Sequence, residues 1–335
     1  MGADFEMVDA VARAEWVLEG VCGGDGAGEP LPKLLVVFAH PDDEVLAMGA
    51  RLGRMRGSRL LCVTDGAPAD GEDARAHGFA TLAAYREARR MELDAALRRC
   101  GFDTRCARPL LLGRANGGSG VLADQTAALH LTDQHLADQT AALHLPELAR
   151  AVAREIEDFQ PAAVVTHPYE GGHPDHDSCA FAVHSAVRMV AEERRPVVVE
   201  VAFYHACHAD PADLADYAQG DGMRTGRFLD EVQVGDPSEA TRATRVCRLS
   251  AVEQSHKRDL LDCFASQRET LGQFGVEVEK FRIAPGYDFT LAPHAGALLY
   301  EGFPWGMRGE RFRGLAAAAL EELGLSAGTQ GPGRA

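Results

Sequence analysis

Two short polar clusters, each directly after a run of apolar residues, are the segments of this chain best suited to chemistry. Residues 34–44 read LLVVFAHPDDE and residues 166–177 read THPYEGGHPDHD. Each combines histidine with several carboxylates, and so much negative charge in one place is costly unless a cation or hydrogen bonds compensate it. Imidazole and carboxylate are together suitable ligands for zinc. We therefore interpret the two clusters as the halves of one metal-centred active site.

The second cluster can complete the ligand set of the first. Two histidines and one carboxylate leave positions open for water and substrate, which is the catalytic form of a zinc site. Alternatively, the acids of each cluster only cap the following helix, where negative charge is favourable. That interpretation gives His40 no role. Two further histidines, His167 and His184, are expected to orient other groups or to pack.

The elements that must position these clusters follow an alternating pattern. Apolar runs predict strands, and segments with helical spacing, such as residues 81–99, separate them. The predicted strands cover residues 34–39, 59–64, 109–112, 162–166 and 197–203. Strands that alternate with helices indicate βαβ units and a mainly parallel sheet. Open α/β sheets place their ligand sites at the carboxyl ends of the strands, which is where both clusters lie.

Composition restricts the classes of partner. The 335 residues are 46% hydrophobic and 25% charged, with a net charge of −16 and a pI near 5.2. Binding to nucleic acid or to an anionic membrane surface needs clustered Lys and Arg, so we expect neither. No apolar run reaches the length of a membrane span. The first residues are acidic where a signal peptide would be basic, so we expect a cytoplasmic protein.

One segment is duplicated: LADQTAALHL occurs at residues 122–131 and again at 136–145, a period of 14 residues. Two copies are too few for a solenoid. We interpret the repeat as a local duplication that lies away from both clusters, so that the second copy is dispensable for chemistry. Its histidines, His130 and His144, and His135 in the spacer are expected at the surface or in packing rather than as ligands.

The two clusters resemble the signatures of the PIG-L, or LmbE-like, family of zinc-dependent de-N-acetylases. AHPDDE at residues 39–44 is similar to the first signature of the family, and HPDH at 173–176 to the second. TDG at 64–66 and RRME at 89–92 add support, and the resemblance covers roughly residues 32–205. It implies a Rossmann-like α/β fold, with a mainly parallel sheet, flanking helices and, in this chain, a C-terminal extension.

The resemblance also implies roles for individual residues. The implied zinc ligands are His40, Asp43 and His176. Asp42 corresponds to the general base, and His173 to the group that acts as acid or stabilises the oxyanion. Asp175 corresponds to a residue that orients a histidine. Arg89 is the expected substrate contact, although Arg86 and Arg90 compete for the same match.

The implied reaction is hydrolysis of an acetamide to acetate and a free amine. The expected substrate is a small molecule, an N-acetylated amino sugar or a glycoconjugate of one. Two alternatives stay open on the residues alone. His40, Asp42 and a distant histidine also fit the two-His, one-carboxylate triad of a non-haem iron oxygenase, although such ligands usually lie on a β-barrel. A non-catalytic Rossmann-like binding module is the other.

The predicted organisation has four parts. Residues 1–30 form an N-terminal helix, at about 5–19, and a glycine-rich linker. Residues 31–205 form the catalytic domain, 206–324 a C-terminal region that shapes the substrate pocket, and 325–335 a disordered tail. Within the third part, residues 251–274 are predicted to be one helix. The residues expected to line the pocket are Phe281, Tyr287, Phe289, His294, Tyr300 and Trp305.

Overall fold

A seven-stranded sheet lies at the centre of the computed structural model, which describes residues 10–23, 32–110, 136–138, 140–201, 244–303 and 305–328. The strands are β1 (Leu34–Phe38), β2 (Arg59–Cys62), β3 (Thr64–Pro68), β4 (Ala107–Pro109), β5 (Leu136–Asp138), β6 (Ala163–Thr166), β7 (Val197–Val201), β8 (Thr244–Arg248) and β9 (Val278–Ile283). The order in the large sheet is β4-β2-β1-β6-β7-β9-β8. Strands β3 and β5 pair separately.

The sheet is mainly parallel, as the sequence predicts. Strand β1 pairs in parallel with both β2 and β6, and β6 in turn with β7. Strand β9 runs antiparallel to β7, and β8 antiparallel to β9. The fold is therefore a Rossmann-like α/β sheet, to which the chain after residue 205 adds two antiparallel strands.

Helices cover both faces of this sheet. They are α1 (Ala10–Cys22), α2 (Asp43–Met48), α3 (Glu72–Ala76), α4 (Leu82–Cys100), α5 (Leu145–Phe159), α6 (Pro174–Met189), α7 (Ala251–Leu261), α8 (Arg268–Leu271) and α9 (Gly309–Glu322). Alternate residues of β1 point to opposite faces, so Val36 packs in one core cluster and Val37 in another. The first cluster includes residues of α1, α2, α4 and α7, and the second includes residues of α5 and α6.

A third apolar cluster joins the C-terminal segment to the parallel part of the fold. Phe312 of α9 packs there with Tyr300, with Phe181 of α6 and with Leu145, the first residue of α5. The segment after residue 205 therefore contacts the elements that carry the second polar cluster.

Several predicted boundaries differ from the observed ones. The N-terminal helix predicted at about residues 5–19 is described from Ala10 and continues to Cys22, and its predicted start lies outside the described part. The single helix predicted over residues 251–274 is wrong, because α7 ends at Leu261 and a 3-10 turn at Ala265–Gln267 precedes α8. The break lets Phe264, which is fully buried, enter the core below the sheet. Of the predicted disordered tail, residues 329–335 lie outside the described part.

No helix in the described ranges combines the length and the apolar character that crossing a bilayer would require.

Candidate metal centre and active site

The two polar clusters meet at the carboxyl ends of adjacent strands. His40 and the acids after it follow β1, while the segment from His167 to His173 follows β6. From β1 the chain continues to β2 on one side of the sheet, whereas β6 lies on the other side. The site therefore occupies a topological switch point, where open α/β sheets form a crevice for ligands.

Three side chains direct their ligand atoms at one another in this crevice. His40 Nδ1 lies 3.2 Å from His176 Nε2 and 3.3 Å from Asp43 Oδ2. His176 Nε2 lies 3.5 Å from Asp43 Oδ1. All three side chains are buried. The structure thus brings together the three residues that the sequence resemblance implied as ligands.

The donor set fits a divalent metal such as zinc. A tetrahedral zinc ion with bonds of about 2.0–2.1 Å has ligand atoms roughly 3.3 Å apart. The separations of 3.2 Å between the two histidine nitrogens and of 3.3 Å between His40 and Asp43 Oδ2 agree with that spacing, whereas the 3.5 Å separation from His176 is to the other oxygen of Asp43. Since two imidazole nitrogens and one carboxylate supply the atoms, the site also has the ligand types that zinc prefers.

The electrostatics of the cluster favour a carboxylate beside neutral imidazoles. Burial opposes ionisation of Asp43, but the imidazoles around it outweigh burial and hold the pKa of its carboxyl well below the usual range. Burial lowers the pKa of His176 to about 3, with His167 acting in the same direction. His176 is therefore neutral near pH 7 and keeps a lone pair for a metal.

His173 begins helix α6 and has a defined tautomer. Its Nδ1 accepts a hydrogen bond from the backbone N–H of Asp175 at 3.1 Å. Because Nδ1 uses its lone pair in this bond, the proton of the neutral ring lies on Nε2. The His173 ring is 4.6 Å from the His40 ring, centroid to centroid. His173 can therefore present an N–H donor to a group bound next to His40.

Asp175 connects the cluster to the second copy of the repeat. Its Oδ2 lies 3.4 Å from Nε2 of His40, on the opposite side of that ring from His176. Its Oδ1 accepts a hydrogen bond from the backbone N–H of Ala141 at 3.0 Å. A carboxylate on Nε2 favours the tautomer of His40 in which Nδ1 carries no proton and can bind a metal.

The contact of Ala141 overturns the prediction that the repeat lies away from both clusters. Residues 136–145 form β5, which pairs with β3, and a 3-10 turn at Ala141–His144 that leads into α5. Ala142 and Leu145 are buried in the third apolar cluster. His144 lies at the start of α5, outside the ligand groups found among the described residues, while His130 and His135 lie outside the described part.

Asp42 has a backbone conformation that L-residues rarely adopt. Its φ of 131° lies in the region that favours glycine, and such strain costs about 1–3 kcal/mol. Its Oδ2 accepts a hydrogen bond from Arg89 Nη2 at 3.0 Å. Burial raises the pKa of Asp42 to about 6, and the Arg89 guanidinium acts in the opposite direction. The strained turn thus holds a basic carboxylate next to the ligand group, which consists of His40, Asp43 and His176.

Gly66 lies where the chain passes close to a buried arginine. Arg89 Nε donates a hydrogen bond to the carbonyl oxygen of Gly66 at 3.2 Å. A Cβ atom on Gly66 would lie 2.7 Å from Arg89 Nη2 and 2.8 Å from Pro41 Cδ, and its φ is +64°. Only glycine therefore lets the chain after β2 approach both the buried arginine and the first cluster.

The three arginines that compete for the substrate contact lie in different places. Arg89 has a side chain only 2% exposed and is held between Asp42 and Gly66. The side chain of Arg86 is 30% exposed and forms an ion pair with Asp65 at 2.7 Å. Arg90 pairs with Glu87 at the surface. The substrate contact assigned to Arg89 stays a prediction, and its direct contact in this structure is with Asp42.

His167 and His184 pack, as the sequence indicated. His167 Nε2 accepts a hydrogen bond from the backbone N–H of Ala39 at 3.0 Å, and its ring stacks on His176 with centroids 3.7 Å apart. Although His167 lies within reach of Asp43, this bond occupies the nitrogen that faces the cluster. The ring of His184 packs against Tyr287, 5.1 Å away.

Asp177, which the sequence indicated only as a helix cap, is fully buried. Its Oδ1 accepts hydrogen bonds from the backbone N–H groups of Glu170 and Gly171, at 3.2 and 3.0 Å. Burial raises the pKa of Asp177 to about 8. Its carboxyl group fastens the loop between β6 and α6 and so positions the two histidines at the start of α6.

Of the aromatic residues predicted to line the pocket, one contacts the site. The Trp305 ring lies 4.6 Å from the ring of His173. The remaining aromatic residues of that set pack in apolar clusters: Phe281, Tyr287, Phe289 and Tyr300. His294 is buried, and its Nδ1–H donates a hydrogen bond to the carbonyl oxygen of Ala295 at 2.8 Å.

The sequence model of the family described as PIG-L, GlcNAc-PI de-N-acetylase, matches residues 35–187, which hold every residue of the ligand group. Residues 35–187 are thus similar to the PIG-L family. The match confirms the resemblance seen in the two signatures, and the PIG-L segment coincides with strands β1 to β6 and helix α6.

The chain is also similar to proteins that carry deacetylase names. A 1D-myo-inositol 2-acetamido-2-deoxy-alpha-D-glucopyranoside deacetylase 1 of Saccharopolyspora erythraea is 32% identical over 209 residues, 57% of this chain and 64% of that protein. The deacetylase of the same name from Mycobacterium sp. is 36% identical over 44% of this chain and 47% of its own length. A solved N,N'-diacetylchitobiose deacetylase of Pyrococcus horikoshii has a TM-score of 0.42 and 18% identity, covering 87% of this chain and 99% of that one.

Proposed function

We propose that the protein is a zinc-dependent hydrolase that removes the acetyl group from an N-acetylated amino sugar or a glycoconjugate of one. The observation that carries the proposal is the convergence of His40 Nδ1, His176 Nε2 and the Asp43 carboxylate, 3.2–3.5 Å apart. This group lies at a switch point of the sheet, within the segment that matches the PIG-L family. The products would be acetate and a free amine.

We assign the zinc to His40, Asp43 and His176. A bound zinc ion supplies Lewis-acid activation of water and polarisation of the scissile carbonyl. Asp175 orients His40 through Nε2, and Ala141 orients Asp175 in turn. These contacts support a ligand set that is arranged before metal and substrate arrive.

Asp42 is the proposed general base. Because Arg89 occupies Oδ2, we assign proton uptake from water to Oδ1. A pKa of about 6 leaves the carboxylate mostly ionised at neutral pH and yet basic enough to accept a proton. Burial and the contact with Arg89 hold the Asp42 carboxyl group in one position.

His173 is the proposed oxyanion donor. Its Nε2–H can donate to the carbonyl oxygen as negative charge develops there. A neutral His173 cannot give up its only ring proton at moderate cost, so the proton that reaches the leaving amine comes from Asp42. One proton then moves from water to Asp42 and from Asp42 to the amine, which balances the hydrolysis of the amide.

The substrate class is proposed from the family description and from the names of the relatives. This chain spans 64% and 47% of the lengths of the two curated relatives compared above. We propose further that residues 31–205 carry the catalysis and that 206–324 shape the pocket. The cytoplasmic location expected from the sequence likewise stays a proposal.

The test is a panel of N-acetylated sugars incubated with zinc-loaded protein, with acetate and primary amine both measured. We expect the two products in equal amounts, loss of turnover after chelation, and recovery with zinc. Oxygen uptake that depends on iron, without acetate, would favour the oxygenase alternative. Metal binding without turnover of any compound in the panel would favour the binding module.

A further inference from the structure

Two aromatic rings form a stack that leads from the surface to His173. The rings of Phe303 and Trp305 are parallel within 9°, and their centroids are 4.4 Å apart. Trp305 in turn contacts His173, with centroids 4.6 Å apart at 51°. Phe303 is 40% exposed, although large apolar residues are usually buried.

The segment that carries this aromatic pair is fastened at both ends. The carboxyl group of Glu301 accepts hydrogen bonds from the backbone N–H groups of Leu298 and Gly309, at 3.2 and 2.8 Å. Tyr300 and Met307 anchor the segment in the third apolar cluster. The hydrogen bonds of Glu301 and the packing of Tyr300 and Met307 therefore hold the segment on both sides of the pair.

We propose that the Phe303–Trp305 pair is a stacking platform for the pyranose ring of the substrate. The proposal rests on the proposed function. A substrate whose acetamide oxygen approaches Nε2 of His173 would have its adjoining atoms near the indole, whose ring lies 4.6 Å from that of His173. The face of an aromatic ring carries negative charge and attracts the C–H groups of a saturated ring. Ligand sites combine such apolar walls with a few polar groups, here His173 and the ligand group.

A purely supporting role for Trp305, holding His173 in place, makes a different prediction. Loss of support would impair every acetamide equally, because His173 donates to the carbonyl oxygen common to all of them. Loss of a platform would impair only substrates that have a ring to stack. Comparison of a cyclic with an acyclic substrate therefore distinguishes the two roles.

The kinetic test uses zinc-loaded full-length protein with the methyl glycoside of N-acetylglucosamine and with N-acetylethanolamine. For Trp305→Ala and Phe303→Ala we expect KM for the glycoside to rise about five- to tenfold, with kcat nearly unchanged. The kinetics of N-acetylethanolamine should change less than about twofold. The control is Trp16→Ala, which removes a tryptophan 41% exposed on α1. An equal effect on both substrates would overturn the platform.

A binding measurement keeps the proposal testable if a truncated variant does not fold. The chain has two tryptophans, so Trp16→Phe leaves Trp305 as the sole tryptophan reporter. We expect N-acetylglucosamine to change the emission of this zinc-loaded variant saturably. Trp305→Phe, which reports from Trp16, should not respond.

The two measurements separate this proposal from the proposed function. A response of Trp305 without acetate release would contradict the deacetylase and leave the platform standing. Release of acetate from the sugar, with silent Trp305 emission at saturating sugar, would overturn the platform alone. Neither response nor release would overturn both.

Discussion

Replacing Asp175 by asparagine tests how the structure prepares His40 for a metal. Asp175 Oδ2 lies 3.4 Å from His40 Nε2, and Oδ1 accepts the N–H of Ala141. An asparagine would keep its oxygen towards Ala141 and turn its NH2 group towards Nε2. Nε2 would then have to accept, and the ring proton would move to Nδ1, the atom that faces His176 and Asp43.

The expected loss follows from that change of tautomer. Removal of a group that orients a metal-binding histidine typically costs about 10–100-fold in metal affinity. That factor corresponds to about 1.4–2.7 kcal/mol. Because asparagine also stabilises the wrong tautomer, we expect Asp175→Asn to fall in the upper half of this range. Excess zinc should restore much of the turnover, since the ligands themselves remain.

Competition for zinc with a chromophoric chelator measures the effect directly. The matched control is Asp177→Asn, the same substitution two residues further along α6. The Asp177 carboxyl binds the backbone N–H groups of Glu170 and Gly171, which an asparagine oxygen can also accept. Zinc affinity in the control should stay within about threefold of the parent. Equal affinity of Asp175→Asn and the parent would refute the orienting role.

Three other predictions concern the base, its arginine and the repeat. Asp42→Asn should keep zinc but lose about 10²–10⁴-fold in turnover, since it removes the general base; near-normal turnover in the zinc-loaded variant would exclude that role. Arg89→Met removes a cation that lowers the pKa of Asp42, so the rising acidic limb of kcat/KM should move to higher pH, and less so in Arg89→Lys; an unmoved limb would contradict the ion pair as its cause. Deletion of one full period of 14 residues leaves a single LADQTAALHL directly before α5, so zinc binding and turnover should survive; loss of zinc from a folded deletion variant would show that both copies are needed.

The strands, and the metal-ligand candidates that follow them, were predictable because each is marked by a short local pattern in the sequence. Apolar runs that break into polar residues after Phe38 and after Thr166 mark two strand exits. The parallel pairing of β1 with β6 then brings the histidines and carboxylates to one edge. Given a mainly parallel sheet, two distant segments of sequence become one site without any further information.

Other features depend on contacts that sequence spacing does not encode. The positive φ of Asp42 and the burial of Arg89 against it are products of tertiary packing around Gly66. The bond from Ala141 to Asp175 involves a backbone N–H, which any residue type could supply. For this reason the repeat gave no signal that it reaches the site.

The aromatic residues after position 280 show the same limit. Composition marked a group of candidates for the pocket wall, but apolar side chains serve a core as well as a pocket. Tyr300 is fully buried in the third apolar cluster, whereas Trp305, five residues later, contacts His173. Tyr300 packs in a core and Trp305 contacts the site because of the three-dimensional course of the chain, which the residue types do not indicate.

We propose that one zinc ion on His40, Asp43 and His176 is required for deacetylation. Zinc titrated into metal-free protein, with bound metal and acetate release from an N-acetyl sugar followed together, tests it most directly. We expect the rate to rise in proportion to bound zinc up to one equivalent per chain and then to level off, and we expect His176→Ala to abolish both zinc binding and acetate release. Full acetate release from metal-free protein, or the same titration in His176→Ala, would contradict it.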